Sequence, residues 1–303
     1  MIVPVAFEAH HFDHLAPVLA LLPHGKQFRN PDDVALVASY GALIRARRAK
    51  FRRFILAQHG AGQSYAGEAR TAHQPGYPGG KDNADVGLFL VPNEHAAKRW
   101  RATYPKAAVA VVGCPKLDAL PTRVPGPGPV IALSFHWAAH FSPEAGSAFA
   151  DFAAAIPRLQ QLGYHVIGHG HPLRQDLPSF YRRHGIEYVK AFTDVCRRAD
   201  VYVCDNSSTI FEFAATGRPV VLLNSPRYRR NIPHGLRFWD AAPVGVQCDS
   251  AAALPAAIAE ALQDGREAQR EAALDIVYAY RTGAAQRAAD AVLDWAGQLQ
   301  AVA

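Results

Sequence analysis

Residues 200–219, DVYVCDNSSTIFEFAATGRP, put a run of small polar side chains where a strand turns into a helix. Asn206, Ser207, Ser208 and Thr209 follow the apolar run VYVC, and Glu212 comes one helical turn after Ser208. Serine at a helix start satisfies backbone N–H groups that have no partner inside the helix. Those N–H groups, the helix dipole and the neighbouring hydroxyls together suit a phosphate. A carboxylate four residues on, on the same face, can accept two hydrogen bonds from vicinal ribose hydroxyls. The plainer reading is an N-cap followed by a first-turn acid.

Three other groups carry chemistry. His169-Gly170-His171-Pro172-Leu173-Arg174 lies at a predicted strand exit, where His171 and Arg174 can neutralise a diphosphate whose charge grows as it leaves. Gln58-His59-Gly60 lies at another strand exit, and a neutral imidazole there can take a proton from an acceptor hydroxyl. His10, His11, Asp13 and His14 cluster after the first strand, with Asp13 and His11 as further candidate bases and Asp13 as a candidate N-cap. Their spacing makes a weak zinc site, and no metal is expected. Arg227, with Tyr228, Arg229 and Arg230, follows a later strand and can clamp phosphate. Each group also has a bland reading as a solvated loop.

The elements that must position these residues alternate strand and helix. Strands are predicted at 2–7, 34–39, 54–57, 86–91 and 109–113, and helices near 14–22, 41–50 and 93–103. The alternation argues for parallel sheets covered on both faces. The block PTRVPGPGP breaks both kinds of structure. It divides the chain into an N-terminal domain, 1–121, a linker, 122–128, and a C-terminal domain, 129–282. The pattern then restarts with PVIALSFH, a long helix over 143–161, the strand before His169, and the strand–turn–helix–strand of 200–224. Ala-rich helices are expected at 251–264, 266–281 and 284–299, the last packing back toward the N-terminal domain. Ligands of such sheets bind at the carboxyl ends of the strands, here in a cleft between two tandem domains.

Composition narrows the field. The chain has 303 residues, 50% hydrophobic and 19% charged, which describes globular domains and not disorder. The opening MIVPVAFEAHH has no basic leader and reads as a first strand. Cys114, Cys196, Cys204 and Cys248 form no paired motif, which fits a reducing cytoplasm. The net charge of +6 suits an anionic partner. Arg45, Arg47, Arg48, Lys50, Arg52 and Arg53 make a basic segment that can meet DNA or the inner face of a membrane, or simply be solvated. No GxGxxG, GxxxxGK[ST] or GxSxG stands in its required context, which disfavours a nicotinamide site, a P-loop and an α/β hydrolase.

The stretch CRRADVYVCDNSSTIFEFAATGRPVVLL resembles the DYSS-containing segment of the CDP-glycerol glycerophosphotransferases of the teichoic-acid polymerase type. His59-Gly60, Gly113-Cys114-Pro115-Lys116-Leu117-Asp118 and His171-Pro172 stand in the order of that family's HG, GxPRxD and HP motifs, so the likeness covers roughly 54–230. It implies a GT-B fold of two Rossmann-like doubly wound domains and an inverting, metal-independent transfer. It also implies roles: His59 as general base, His171 and Arg174 on the donor diphosphate, Ser207 and Ser208 on phosphate, and Glu212 on the ribose. Asn206 replaces the family's Tyr, the residues after His59-Gly60 depart from Thr-Pro-Leu-Lys, and the family's N-terminal membrane-associating part is missing. VIALSFHW also resembles the strand exit of the UDP-N-acetylglucosamine 2-epimerases, which makes His136 a donor-site candidate; their Asp-Ser-Gly-Gly turn parallels Asp205–Ser208 without its glycines.

The sequence therefore reads as a cytoplasmic transferase, peripheral at most to the inner membrane surface. It would move a glycosyl or glycerophosphate group from a CDP- or UDP-linked donor, with no cofactor, to a polyol, saccharide or modified DNA base. The alternatives are a DNA glycosyltransferase of phage type, a UDP-sugar 2-epimerase and a non-catalytic nucleotide-sugar binder.

Overall fold

A computed structural model of the chain describes residues 1–6, 8–61, 83–137, 146–228 and 243–301. The Gly-rich stretch 62–82, the first residues of the helix expected from 143, and Arg229 and Arg230 lie outside the described residues. The first half runs β1 (Ile2–Val5), α1 (Ala9–Leu19), β2 (Val34–Val37), α2 (Tyr40–Arg48), β3 (Arg53–Ala57), β4 (Val86–Val91), α3 (Glu94–Thr103) and β5 (Ala108–Val111), closed by a 3-10 turn, Pro115–Ala119. The second half runs β6 (Val130–Ser134), α4 (Phe149–Phe152), α5 (Ile156–Gln161), β7 (His165–Gly168), α6 (Leu177–Arg183), β8 (Glu187–Tyr188), α7 (Phe192–Arg198), β9 (Val201–Cys204), α8 (Thr209–Ala214), β10 (Val220–Leu223) and β11 (Val246–Cys248). It ends in α9 (Leu254–Gln263), α10 (Glu267–Val277) and α11 (Ala284–Ala301).

The chain forms two compact units. One holds Met1–Ala119 with Asp275–Ala303, and the other holds most of the chain between Leu120 and Leu274. In the first unit the strands lie in the order β1-β2-β3-β4-β5, all parallel, with Leu36 opposite Ile55 and Leu90 opposite Ala110. Strand side chains alternate between faces, so the sheet has two cores. Leu36, Ile55 and Leu88 face Leu15 and Val18 of α1 and Ala288, Ala289 and Val292 of α11. Val37, Leu56 and Phe89 face Leu43 of α2 and Ala97 and Trp100 of α3. Ser39 and Asn93 cap α2 and α3 by accepting from Ala42 N at 3.2 Å and Ala96 N at 2.8 Å.

The second sheet has the order β11-β10-β9-β6-β7-β8, again all parallel. Renumbered from its own first strand this is 6-5-4-1-2-3, the doubly wound arrangement whose order reverses between β6 and β9. The residues at the carboxyl ends of β6, β7 and β9 are therefore the ones brought to the reversal.

Local boundaries differ from the sequence expectation for identifiable reasons. The helix expected over 143–161 is broken: α4 ends at Phe152, a 3-10 turn covers Ala153–Ala155, and α5 restarts with Pro157 in its first turn. Proline lacks the N–H that a continuing helix needs there and is tolerated in the first turn of a new one. The helix expected near 14–22 starts five residues earlier, at Ala9, because Glu8 and His11 form a reciprocal capping box. His10, His11, Asp13 and His14 are thus helical and not in a loop, and Asp13 is not the N-cap.

Candidate functional site

Asp205, directly after β9, organises the donor-side candidates. It is fully buried. Its Oδ1 accepts from the backbone N–H of His136 at 2.7 Å. Its Oδ2 accepts from Ser147 Oγ and the N–H of Ala148, both at 2.9 Å. The carboxylate thus ties the exit of β6 to the exit of β9 across the strand-order reversal. A buried carboxylate persists only with donors of this kind around it.

The exit of β7 joins the same group. The rings of His136 and His171 pack edge to face, centroids 5.3 Å apart, and Trp137 lies 6.0 and 6.2 Å from them. Arg174 Nη1 donates to the carbonyl of His136 at 3.3 Å. Tyr181, fully buried on α6, shares its hydroxyl proton between the carbonyls of Leu133 and His169, at 2.9 and 3.3 Å, and so pins β6 to β7. The serine turn after Asp205 and the basic loop at His171 are therefore neighbours on one sheet edge.

Within the turn, Thr209 Oγ1 lies 2.8 Å from Tyr202 OH and donates to Ser207 Oγ at 2.8 Å. Ser207 Oγ also accepts from the N–H of Thr209 at 3.3 Å. With both bonds accepted, the Ser207 hydroxyl has its own proton to give, as a phosphate oxygen requires. The Thr209 hydroxyl is thus engaged with Tyr202 and supports Ser207. Ser208 is the N-cap residue, but its side chain makes no capping bond. Because α8 spans only six residues, the hydroxyls and turn amides, more than a helix dipole, favour an anion here. Asn206 is buried, and Glu212 is only 1% exposed, packed within α8 and not projecting openly beside Ser208.

The cations at this edge are already engaged. Arg174 is paired with Asp176 through two bonds of 2.6 and 2.7 Å and lies over the Phe149 ring at 4.8 Å. Its hydrogen bonds hold the Asp176 carboxyl below the ordinary carboxylate range. Arg227 pairs with Asp151 at 3.0 Å and donates to the carbonyl of Ser147 at 3.1 Å. It braces the segment that holds Asp205, where the sequence reading made it a direct phosphate clamp. His171 Nδ1 accepts from the N–H of Leu173 at 3.2 Å, which puts the neutral ring's proton on Nε2 and makes that nitrogen a donor.

In the N-terminal unit, His59 Nδ1 is hydrogen-bonded to the carbonyl of Ala38, so Nδ1 carries the proton and Nε2 is the basic nitrogen. Gly60 follows with φ of 88°, a left-handed conformation that glycine adopts freely. His59 packs against His11 and His14, ring centroids 4.8 and 5.8 Å away, and His11 packs against His10 at 4.2 Å. Burial, then His59 and His10, lower the His11 pKa to about 2. Burial, then Lys116 and the neighbouring histidines, hold His14 well below its ordinary value. His11 and His14 are thus neutral. His11 belongs with His59, while Asp13 is on the exposed side of α1. Among the described residues, no three His, Cys, Asp or Glu side chains are arranged to hold a metal ion.

In the basic segment Arg45 donates to the carbonyl of Ala6 at 3.0 Å, Arg47 pairs with Asp85, and Arg53 lies 3.5 Å from Asp32. No described helix is long and apolar enough to cross a membrane. Sequence reasoning passed over Asp205 and Tyr181 as site residues. An acid closing a buried strand was the signal for the first, while nothing local marks the second.

Residues 145–294 match the family model of the CDP-glycerol:poly(glycerophosphate) glycerophosphotransferases. No curated protein sequence matches the chain. The wall teichoic acid polymerase TagF is similar in structure, with a TM-score of 0.64 at 13% identity over 99% of this chain and 90% of that one. A UDP-N-acetylglucosamine 2-epimerase from Listeria monocytogenes gives 0.60 at 14% identity, over 96% of this chain and 95% of that one. S. aureus MnaA in complex with UDP gives 0.60 at 12% identity, over 94% of each. The fold is GT-B, and the family match covers the second half of the chain, residues 145–294.

Proposed function

We propose that the chain transfers a glycerophosphate or glycosyl group from a CDP- or UDP-linked donor to an acceptor hydroxyl, by an inverting, metal-independent route. The observation that carries this reading is one edge of a doubly wound sheet where the Asp205 carboxylate ties the start of the serine turn to His136, whose ring meets His171 and whose carbonyl meets Arg174. CDP-glycerol as donor is favoured by the family match and by TagF, of which a variant has been soaked with CDPG.

On this reading Ser207, Ser208 and the turn amide at Asn206 hold phosphate, with Thr209 supporting Ser207 from below. His171 Nε2–H and Arg174 carry the charge that grows on the leaving diphosphate, His136 lines the same edge, and Glu212 fixes the ribose from beneath the turn. His59 takes the acceptor proton at Nε2. Chemistry of this kind needs positioning and electrostatic stabilisation more than a covalent intermediate.

Release of CDP or UDP, measured with a panel of donors and polyol, saccharide and DNA acceptors, tests the assignment. His171→Ala is expected to lower kcat by roughly a hundredfold, the scale of one lost transition-state donor, and Glu212→Ala is expected to raise the KM for donor. Wild-type rates in both variants would sink the site. The similar fold of the 2-epimerases favours a second reading, UDP-sugar epimerisation. A second epimer seen by NMR with UDP-N-acetylglucosamine alone would select it over transfer.

A further inference from the structure

Tyr202 stands on β9 between two strands in register with it, opposite Ala132 of β6 and Val220 of β10. Its side chain is fully buried. The ring stacks on Phe213 of α8, centroids 5.1 Å apart, and meets Phe192 of α7 edge to face at 5.8 Å. The phenol oxygen is thereby held in one place, 2.8 Å from Thr209 Oγ1. Burial raises the phenol pKa well above its ordinary value, so the proton stays on.

The protons along the hydroxyls that follow run one way only. Thr209 has a single hydroxyl proton and donates it to Ser207 Oγ at 2.8 Å. Toward Tyr202 it can therefore only accept, so the phenol donates. Ser134 also meets the phenol, which does not alter the count, because Thr209 has no second proton. Cys204 Sγ, 4.0 Å from Thr209 Oγ1, is a weak partner. Ser207 is half-buried, and its Oγ accepts from both the hydroxyl and the N–H of Thr209. Its own proton is left for a ligand.

Resting on the reading of Ser207 as a phosphate ligand, we infer that Tyr202 is a positioning residue for the donor's diphosphate: its phenol sets the direction of the hydroxyl chain from Tyr202 through Thr209 to Ser207, so that the turn meets phosphate as a hydrogen-bond donor. Without the phenol, the pair of Thr209 and Ser207 can run either way. In the reversed direction Ser207 spends its proton on Thr209 and turns lone pairs to the ligand, which a phosphate oxygen repels. The phenol removes that second arrangement, and hydrogen bonds in series strengthen one another. The chain thus selects an unprotonated phosphoryl oxygen over a group that must itself donate.

Calorimetry on the full chain, with CDP and UDP as probes, tests this through a double-mutant cycle. Ser207→Ala is expected to weaken binding of the preferred nucleotide about tenfold or more, the scale of a hydrogen bond to a charged group. Tyr202→Phe keeps the ring and is expected to weaken it about threefold to tenfold. Because the phenol acts through Ser207, the two substitutions together should bind as Ser207→Ala does alone. Wild-type affinity in Tyr202→Phe would overturn the inference. So would losses that add in the double variant, since a phenol that only packs acts independently of Ser207. Where Tyr202→Phe does not fold, the unsubstituted chain decides: the hydroxyl proton resonances of Tyr202 and Thr209 should move downfield when CDP binds, and resonances that stay in place would overturn the inference. Undiminished binding in Ser207→Ala would instead remove the phosphate reading beneath it, an outcome distinct from a failure of Tyr202→Phe alone.

Discussion

At the scale of single residues, the edge at the exits of β6 and β9 is tied by one buried carboxylate. Asp205 accepts from the N–H groups of His136 and Ala148 and from the Ser147 hydroxyl while fully buried. Asp205→Asn keeps the shape and turns one oxygen into an NH2 group, which must then face a backbone N–H or the Ser147 hydroxyl. A buried donor left unsatisfied costs about 1–3 kcal/mol. Urea unfolding should show a loss of that size, and isothermal calorimetry should show weaker nucleotide binding, because the exits of β6 and β9 are no longer tied. A variant with the wild-type midpoint and affinity would show that the tie does not organise the site. The sequence shows Asp205 as the end of VYVCD, and its residue type hints at a strand-exit function. Its partners are 57 and 69 residues away, so the pairing could not be read locally. The same limit hid the internal use of Thr209 and the pairing of Arg227 with Asp151, both of which looked from sequence like ligand contacts.

At the scale of elements, β-strands were legible and helix starts less so. Runs such as VALV, VGLFLV and VVLL are apolar throughout because both faces of a parallel sheet are covered, and they stand out whatever follows them. The onset of α1 was masked by its composition: histidines look like loop residues, and the capping box uses Glu8 and His11 in place of a serine and a glutamate. The break between α4 and α5 hid in an Ala-rich stretch where only Pro157 speaks against continuity. Helix α6 illustrates how an element positions the site without entering it. Its Tyr181 ring lies where a Cβ on Gly168 would come within 2.4 Å, and its hydroxyl serves two carbonyls at the exits of β6 and β7. Burial raises the Tyr181 pKa well above its ordinary value, so the phenol remains protonated and a donor. Tyr181→Phe keeps the ring and removes the donor. A net loss of about 0.5–1.5 kcal/mol is expected, with the stability loss read by urea denaturation and faster amide exchange at Gly170 and His171. Unchanged exchange there would mean that the phenol does not hold the loop.

At the scale of the whole molecule, the chain order of the two units is not the order of their cores. The sheet of the first unit is built from residues before 112, yet one of its faces is covered by a helix that begins at Ala284. Ala288, Ala289 and Val292 are fully buried there, and Trp295 packs so closely that a Cβ on Gly87 would lie 2.3 Å from its ring. Burying Val292 alone is worth roughly 1.5–3 kcal/mol, a large share of the roughly 5–15 kcal/mol that separates folded from unfolded domains. The donor-side residues named above all belong to the second sheet and its loops, whose strands end at Cys248. Ending the chain after Thr282 should therefore have unequal consequences. The amides of β1–β5 should lose their hydrogen-exchange protection as the face formed by Leu36, Ile55 and Leu88 opens to water. The strands β6, β7, β9 and β10 should keep theirs, and CDP should still raise the melting temperature of what remains, by the mass action through which any ligand of the folded state stabilises it. Transfer should be lost, because His59 stands on the unfolded part. If the truncated chain lost protection evenly in both sheets and no longer responded to CDP, the donor site could not be an independent property of the second sheet. The hydroxyl turn, His171 and Asp205 would then need the first unit to hold their arrangement.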